Sequence, residues 1–235
     1  MKRFWDTATV AEVEGGHAIM LDGRPMRLPG GAVLSIAAAP LAAAIAAEWQ
    51  AAGGEKGGEM NFSDTPLTRL AGTAQERIAA NLGPVIDTIA GYAETDLLCY
   101  RAVTPEALVQ RQMREWQPWL DWAALTYDAP LKVTSGVVPV RQDPQALRAL
   151  RAAVAGFDAM ALAGLGVVVP ALGSLVLGLA LAEGRLDVAG AHALGCLEER
   201  FQEEFWGEDS EATRRRHAVA TDIEVAARFI ALTRA

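Results

Sequence analysis

TATVAEVEGGHAIMLDGRPMRLPGG, residues 7–31, decides the class of fold. Thr7 to Val13 alternates loosely between apolar and polar, Glu14-Gly15-Gly16 is a turn, and His17 to Leu21 is a second strand. Asp22-Gly23 is a short hairpin signal, because both residues tolerate positive φ. Pro25 to Leu28 reads as a third strand, closed by Pro29-Gly30-Gly31. These segments predict a small antiparallel sheet.

Downstream the period changes from two to about four. Leu41, Ile45 and Trp49 fall on one helix face, with Trp49 among the apolar residues, and Ala51-Ala52-Gly53-Gly54 stops that helix. A second helical region spans Thr68 to about Tyr100, broken near Gly83-Pro84. Pro105 suits the first turn of a helix toward Tyr127, on which Trp116, Trp119 and Trp122 read as core. Asp143-Pro144 opens another. Leu194, Leu197, Phe201 and Phe205 form an apolar stripe on a helix ending at Gly207, and a last helix starts near Asp209 or Ser210 with Val219, Ile223, Ala226 and Ile230 inward. The sequence therefore predicts an α+β protein: an N-terminal β-rich domain with one helix over 1–62, then a helical domain over 63–235.

The composition supports a packed core, at 51% hydrophobic and 21% charged residues. Abundant alanine favours helix. A formal net charge of −8 gives no general attraction for nucleic acid or an anionic membrane surface, and the run Arg214-Arg215-Arg216 reads as a solvated helix face. Cys99 and Cys196 are expected to be two buried thiols, with no metal-binding spacing around them. Residues 159–182 carry no charge and have the length of a membrane span, but Pro170 and four glycines interrupt them. A buried helix or helix pair is the expected outcome.

Motifs for chemistry are scarce. His17, His192 and His217 lie in unrelated segments, without a His-Glu-x-x-His or Glu-x-x-His pair. There is no Gly-x-x-x-x-Gly-Lys-Ser/Thr phosphate loop and no Gly-x-Gly-x-x-Gly after a strand. No nucleotide, cofactor, metal or catalytic residue is expected. The alternative is an enzyme whose carboxylate site is assembled from distant residues such as Asp96, Tyr100 and the acidic cluster described next.

That cluster comprises Glu198, Glu199, Glu203, Glu204, Glu208, Asp209 and Glu211, against Arg200. Opposite the Phe201 stripe, Glu199 and Glu203 are expected to face solvent. Glu203 and Glu204 occupy a last helical turn, where the helix dipole disfavours anions, whereas Asp209 and Glu211 suit the start of the next helix. Capping and a solvated acidic face explain the run as well as a docking surface does. Trp206, off the stripe and beside the acids, adds weight to docking, although a tryptophan packed under the turn into the last helix explains it equally well.

The run 197–212, LEERFQEEFWGEDSEA, resembles the signature of the F-type ATP synthase assembly chaperones specific for the alpha subunit. So do YAETDLLCYRA at 92–102, Lys2-Arg3-Phe4-Trp5, Leu21-Asp22-Gly23-Arg24-Pro25, Glu48-Trp49-Gln50, Pro66-Leu67-Thr68 and Gly173-Ser174-Leu175. The resemblance implies a β-rich N-terminal part and a helical C-terminal part, a non-enzyme, and no stable membrane insertion. It implies binding of the unassembled alpha subunit until the beta subunit replaces the chaperone. The partner-binding residues it points to are Trp206, Gly207, Asp209 and Glu211, with Glu203 and Glu204 adjacent. The expected compartment is the bacterial cytoplasm, or the mitochondrial matrix for a mature organellar form.

Overall fold

The computed structural model describes residues 2–136, 138–207 and 209–234. In chain order, a small antiparallel sheet is followed by helices, an α+β organisation. The chain forms two compact units. One comprises Met1–Leu82, Ala159–Gly164 and Arg228–Ala235, and the other Gly83–Asp158 and Leu165–Ala227.

In the first unit, β1 (Ala8–Val13) pairs antiparallel with β2 (Gly16–Leu21) in the register Ala8↔Leu21 to Val13↔Gly16. Asp22 and Gly23 take φ of 47° and 75°, as the two-residue turn requires, and lead into β3 (Arg24–Pro25). Those two residues pair with β2 and Arg27 makes an isolated bridge to Val33, so the predicted third strand shortens. An unforeseen β4 (Ser35–Ile36) also pairs with β2. β2 is the central strand, and its Ala18, Ile19 and Leu21 are buried.

Helix α1 (Ala39–Ala51) buries Leu41, Ala42, Ile45 and Ala46, while Trp49 is half-buried with its ring 4.9 Å from that of Trp5. Its C-terminal end is held by Arg3, which is 3% exposed. Arg3 donates to the carbonyls of Gln50 (2.7 Å), Ala52 (3.3 Å) and Gly54 (2.5 Å), and to those of Trp5 and Asp6. A cation there satisfies carbonyls that the helix leaves open and opposes the negative end of its dipole. Glu48 performs the converse service for α2 (Pro66–Thr73), accepting from the Leu67 and Thr68 N–H groups at 2.7 and 3.1 Å. Burial raises its pKa, and these hydrogen bonds oppose the rise.

The region read as one broken helix from Thr68 to Tyr100 divides further. α2 continues into a π-helical turn at Ala74–Ile78, then come α3 (Leu82–Ala90) and 3-10 turns at Gly91–Thr95 and Leu97–Cys99. β5 (Tyr100–Arg101) makes a two-residue parallel pair with β6 (Thr134–Ser135). α4 (Glu106–Tyr127) buries Leu108, Gln112, Trp116, Leu120 and Ala123 at helical spacing. Trp116 is fully buried, whereas Trp119 and Trp122 are half-buried and pack edge to face. α5 (Pro144–Ala155) is capped by Asp143, which accepts from Gln145 N–H.

The uncharged stretch is a helix pair. α6 (Ala159–Leu172) ends at Gly173, and α7 (Leu175–Ala182) begins at Ser174, whose hydroxyl accepts from Leu177 N–H. All eight residues of α7 are buried. Among the described residues, no helix is long and apolar enough to cross a membrane. Cys99 and Cys196 are buried free thiols, and burial pushes the Cys99 thiol up to about 12.

α8 (Val188–Gly195), α9 (Leu197–Trp206) and α10 (Ser210–Thr233) complete the chain. The apolar stripe thus lies on two helices broken at Cys196, and Phe205 departs from it at 63% exposed. Ile223, Ala226 and Ile230 of α10 are buried, joined by Phe229, with Val219 half-buried.

Candidate functional site

The sequence-selected residues converge on the corner between α9 and α10, within the second unit. Gly207 takes φ 86°, a conformation an L side chain rarely adopts, and its N–H reaches the Glu203 carbonyl at 2.9 Å. The helix stops there. Asp209 caps the next one: its Oδ1 accepts from Glu211 N–H at 2.8 Å, and its carbonyl accepts from Thr213 N–H at 2.9 Å. Glu208 lies outside the described residues.

The corner displays two aromatics. Trp206 is 80% exposed and Phe205 63% exposed. Phe205 rests on Phe201, with ring centroids 4.9 Å apart. Trp206 lines a shallow groove of about 260 Å³ with Glu203, Gly207, Asp209, Arg215 and Arg216. An exposed tryptophan forfeits a large hydrophobic gain on folding and keeps it available for a contact.

Among the described residues, the acidic cluster divides into members held by side chains of α4 and α10 and members that are not. Glu199 and Glu203 are half-buried rather than solvent-facing, because α10 lays Arg215 and Arg216 against them. Arg216 Nη2 is 2.5 Å from Glu203 Oε1, and its Nη1 is 3.6 Å from Glu199 Oε2. Burial works against the Arg216 charge, but Glu203 and Glu199 outweigh it and raise the pKa. Of the tribasic run, Arg214 and Arg215 are exposed, as a solvated face requires, whereas Arg216 is half-buried in its ion pairs. Glu204 receives a two-pronged contact from Arg111 of α4 at 2.6 and 2.8 Å, which holds its carboxyl below the usual range. The Arg111 guanidinium also lies over the Phe201 ring at 5.1 Å. Glu198 accepts from Gln112 at 2.5 Å, and burial raises its pKa against that bond.

Asp209 and Glu211 are different. Both are exposed, and among the described residues neither is in an ion pair. Among the described residues, two exposed carboxylates without an ion pair thus stand beside an uncovered tryptophan. The cations that pair with Glu199, Glu203 and Glu204 were missed from sequence. Arg215 and Arg216 had a local signal, three arginines just past an acidic turn, whereas Arg111 comes from a distant helix with none.

Asp96 and Tyr100 do not line this groove. Asp96 is fully buried: its Oδ1 accepts from Leu98 N–H and its Oδ2 from Val176 N–H, both at 3.1 Å, and the Ser174 hydroxyl bonds it too. It ties the 3-10 turn at Leu97 to the start of α7. Burial pushes its pKa up to about 6. A carboxylate so enclosed is closed to a substrate.

A family model described as the ATP12 chaperone protein matches residues 2–124. The crystal structure of Atp12 from Paracoccus denitrificans is 44% identical, with a TM-score of 0.93 over 99% of this chain and 98% of that one. A lysine-for-aspartate mutant of Atp12p from the same organism also matches at 44% identity and TM-score 0.93, over 99% and 97% of the two chains. A protein of Agrobacterium tumefaciens matches at 38% identity and TM-score 0.92, over 97% and 85%. The chain belongs to the ATP12 chaperone family, whose members are ATP synthase assembly chaperones.

Proposed function

We propose that the protein binds the unassembled alpha subunit of the F-type ATP synthase and shields its apolar inter-subunit surface until the beta subunit replaces it. The observation that carries this reading is Trp206, 80% exposed on a helix corner fixed by ion pairs and flanked by the exposed carboxylates of Asp209 and Glu211. An apolar anchor beside charge is the composition of an interface hot spot. An orphan subunit presents apolar surface that invites aggregation, and covering it reversibly keeps it in solution. Release needs no nucleotide if the beta subunit binds the same surface more tightly.

In this reading Trp206, Gly207, Asp209 and Glu211 meet the client. Glu203 and Glu204, whose carboxylates are occupied by Arg216 and Arg111, contribute by holding the corner in shape. The setting is the bacterial cytoplasm, or the mitochondrial matrix for an organellar form. The test is capture of alpha subunit from extract lacking beta, followed by addition of purified beta. Capture of alpha and its release by beta support the reading. No capture of alpha overturns it.

A further inference from the structure

The first unit carries a second groove, of about 420 Å³, formed by the loop after β3, α1 and α2. Its floor is apolar and fixed. Met26 and Leu28 are each 6% exposed, and Trp49 is held by its Nε1, which donates to Thr68 Oγ1 at 2.8 Å. α2 sits close against this floor: a Cβ built on Gly72 would stand 3.0 Å from Leu28 Cδ2.

Phe62 stands at the rim, 69% exposed. Its backbone is nevertheless pinned in a 3-10 turn, where Asn61 N–H donates to Asp64 Oδ2 at 2.9 Å. An exposed aromatic on an ordered backbone loses little freedom on contact. Around it lie Arg27, Arg69 and Arg77 against Glu76, whose Oε1 accepts from Gly30 N–H at 2.8 Å. Among the described residues, Arg69 and Arg77 form no ion pair. In a chain of formal net charge −8, this is a local excess of cations over an apolar floor.

We propose that this groove takes a short segment of the client subunit in which an apolar side chain is flanked by carboxylates, the apolar group resting on Leu28, Trp49 and Phe62 and the acids on Arg69 and Arg77. The inference rests on the reading above that the chain holds an unassembled subunit. It adds a second contact of opposite charge to the acidic corner.

The test places a photo-crosslinking residue at Phe62 in one full-length variant and at Trp206 in another, each mixed with purified alpha subunit. The Phe62 probe is expected to capture a carboxylate-rich segment of the subunit. Arg69→Glu with Arg77→Glu is expected to weaken binding by roughly tenfold or more, as loss of charge-assisted contacts does. Arg24→Glu, an exposed control outside the groove, is expected to leave it unchanged. Capture from Trp206 but not from Phe62, with affinity unmoved by the double substitution, overturns the groove and leaves the chaperone reading standing. Capture from Phe62 of an acid-free segment, or only of another copy of this chain, overturns the assigned chemistry. Capture from neither position overturns both readings.

Discussion

Arg216 and Glu203 meet at 2.5 Å with side chains only 13% and 18% exposed, joining the last turn of α9 to the second turn of α10 across Gly207. Two like-charged glutamates at a helix C-terminal end would ordinarily oppose the dipole. Here Arg216 and Arg111 supply the compensating charge. Removing one partner of such a sheltered pair strands the other, so Arg216→Met is expected to cost ~2 kcal/mol. The double variant Arg216→Met with Glu203→Leu is expected to lose less than the sum of the singles. Urea unfolding of all four proteins closes the cycle.

Asp209 has two separable properties, a cap and a charge. Asparagine caps a helix about as well as aspartate, whereas alanine does not. Asp209→Asn should therefore leave stability within about 0.5 kcal/mol of the parent, and Asp209→Ala should lose about 1 kcal/mol. Thermal unfolding reads this difference. If the client reads the charge, Asp209→Asn also weakens alpha-subunit binding while remaining as stable as the parent.

Arg3 is the main fastening of the α1 C-terminal end. Its guanidinium donates to five carbonyls. Arg3→Met keeps much of the side-chain volume and removes every donor. The expected loss is on the order of 3 kcal/mol, because several buried acceptors go unsatisfied together. Denaturant midpoints of the variant and the parent measure it.

Asp96 makes stability depend on pH in a particular direction. Its native pKa, raised by burial from 3.8 to about 6, means that the folded chain holds this proton more tightly than the unfolded chain. The protonated form therefore favours folding at low pH, and that contribution fades as pH rises from about 4 to about 6. Asp96→Asn cannot titrate. The stability advantage of the parent over Asp96→Asn is expected to grow by ~2 kcal/mol between pH 7 and pH 4, at most about 1.4 kcal/mol per pH unit. A gap independent of pH would place the native pKa near the ordinary value.

The turn chemistry was legible in the sequence. Asp22-Gly23 gave the hairpin, Asp143-Pro144 opened α5, and Gly207 followed by Asp209 marked the helix corner. β4 was not legible, because a two-residue strand has no periodicity and owes its pairing to β2. Nor was the break at Cys196, although Gly195 stands just before it, because the apolar stripe runs on across it from Leu194 to Leu197 and Phe201. At the site, the place of Trp206 off the stripe allowed either an exposed ring or one packed under the turn, and the structure shows it exposed. The half-burial of Glu199 and Glu203 did not, since a helical pattern describes one helix and the arginines that cover them belong to the next.

The most direct measurement is the affinity of purified alpha subunit for the Trp206→Ala protein. With its side chain 80% exposed, Trp206 supports little of the fold, so unfolding should be unchanged. The expected result is a loss of roughly tenfold or more in affinity, the scale of a hot-spot truncation. Wild-type affinity in the folded variant would contradict the assignment of the α9–α10 corner as the client-binding surface.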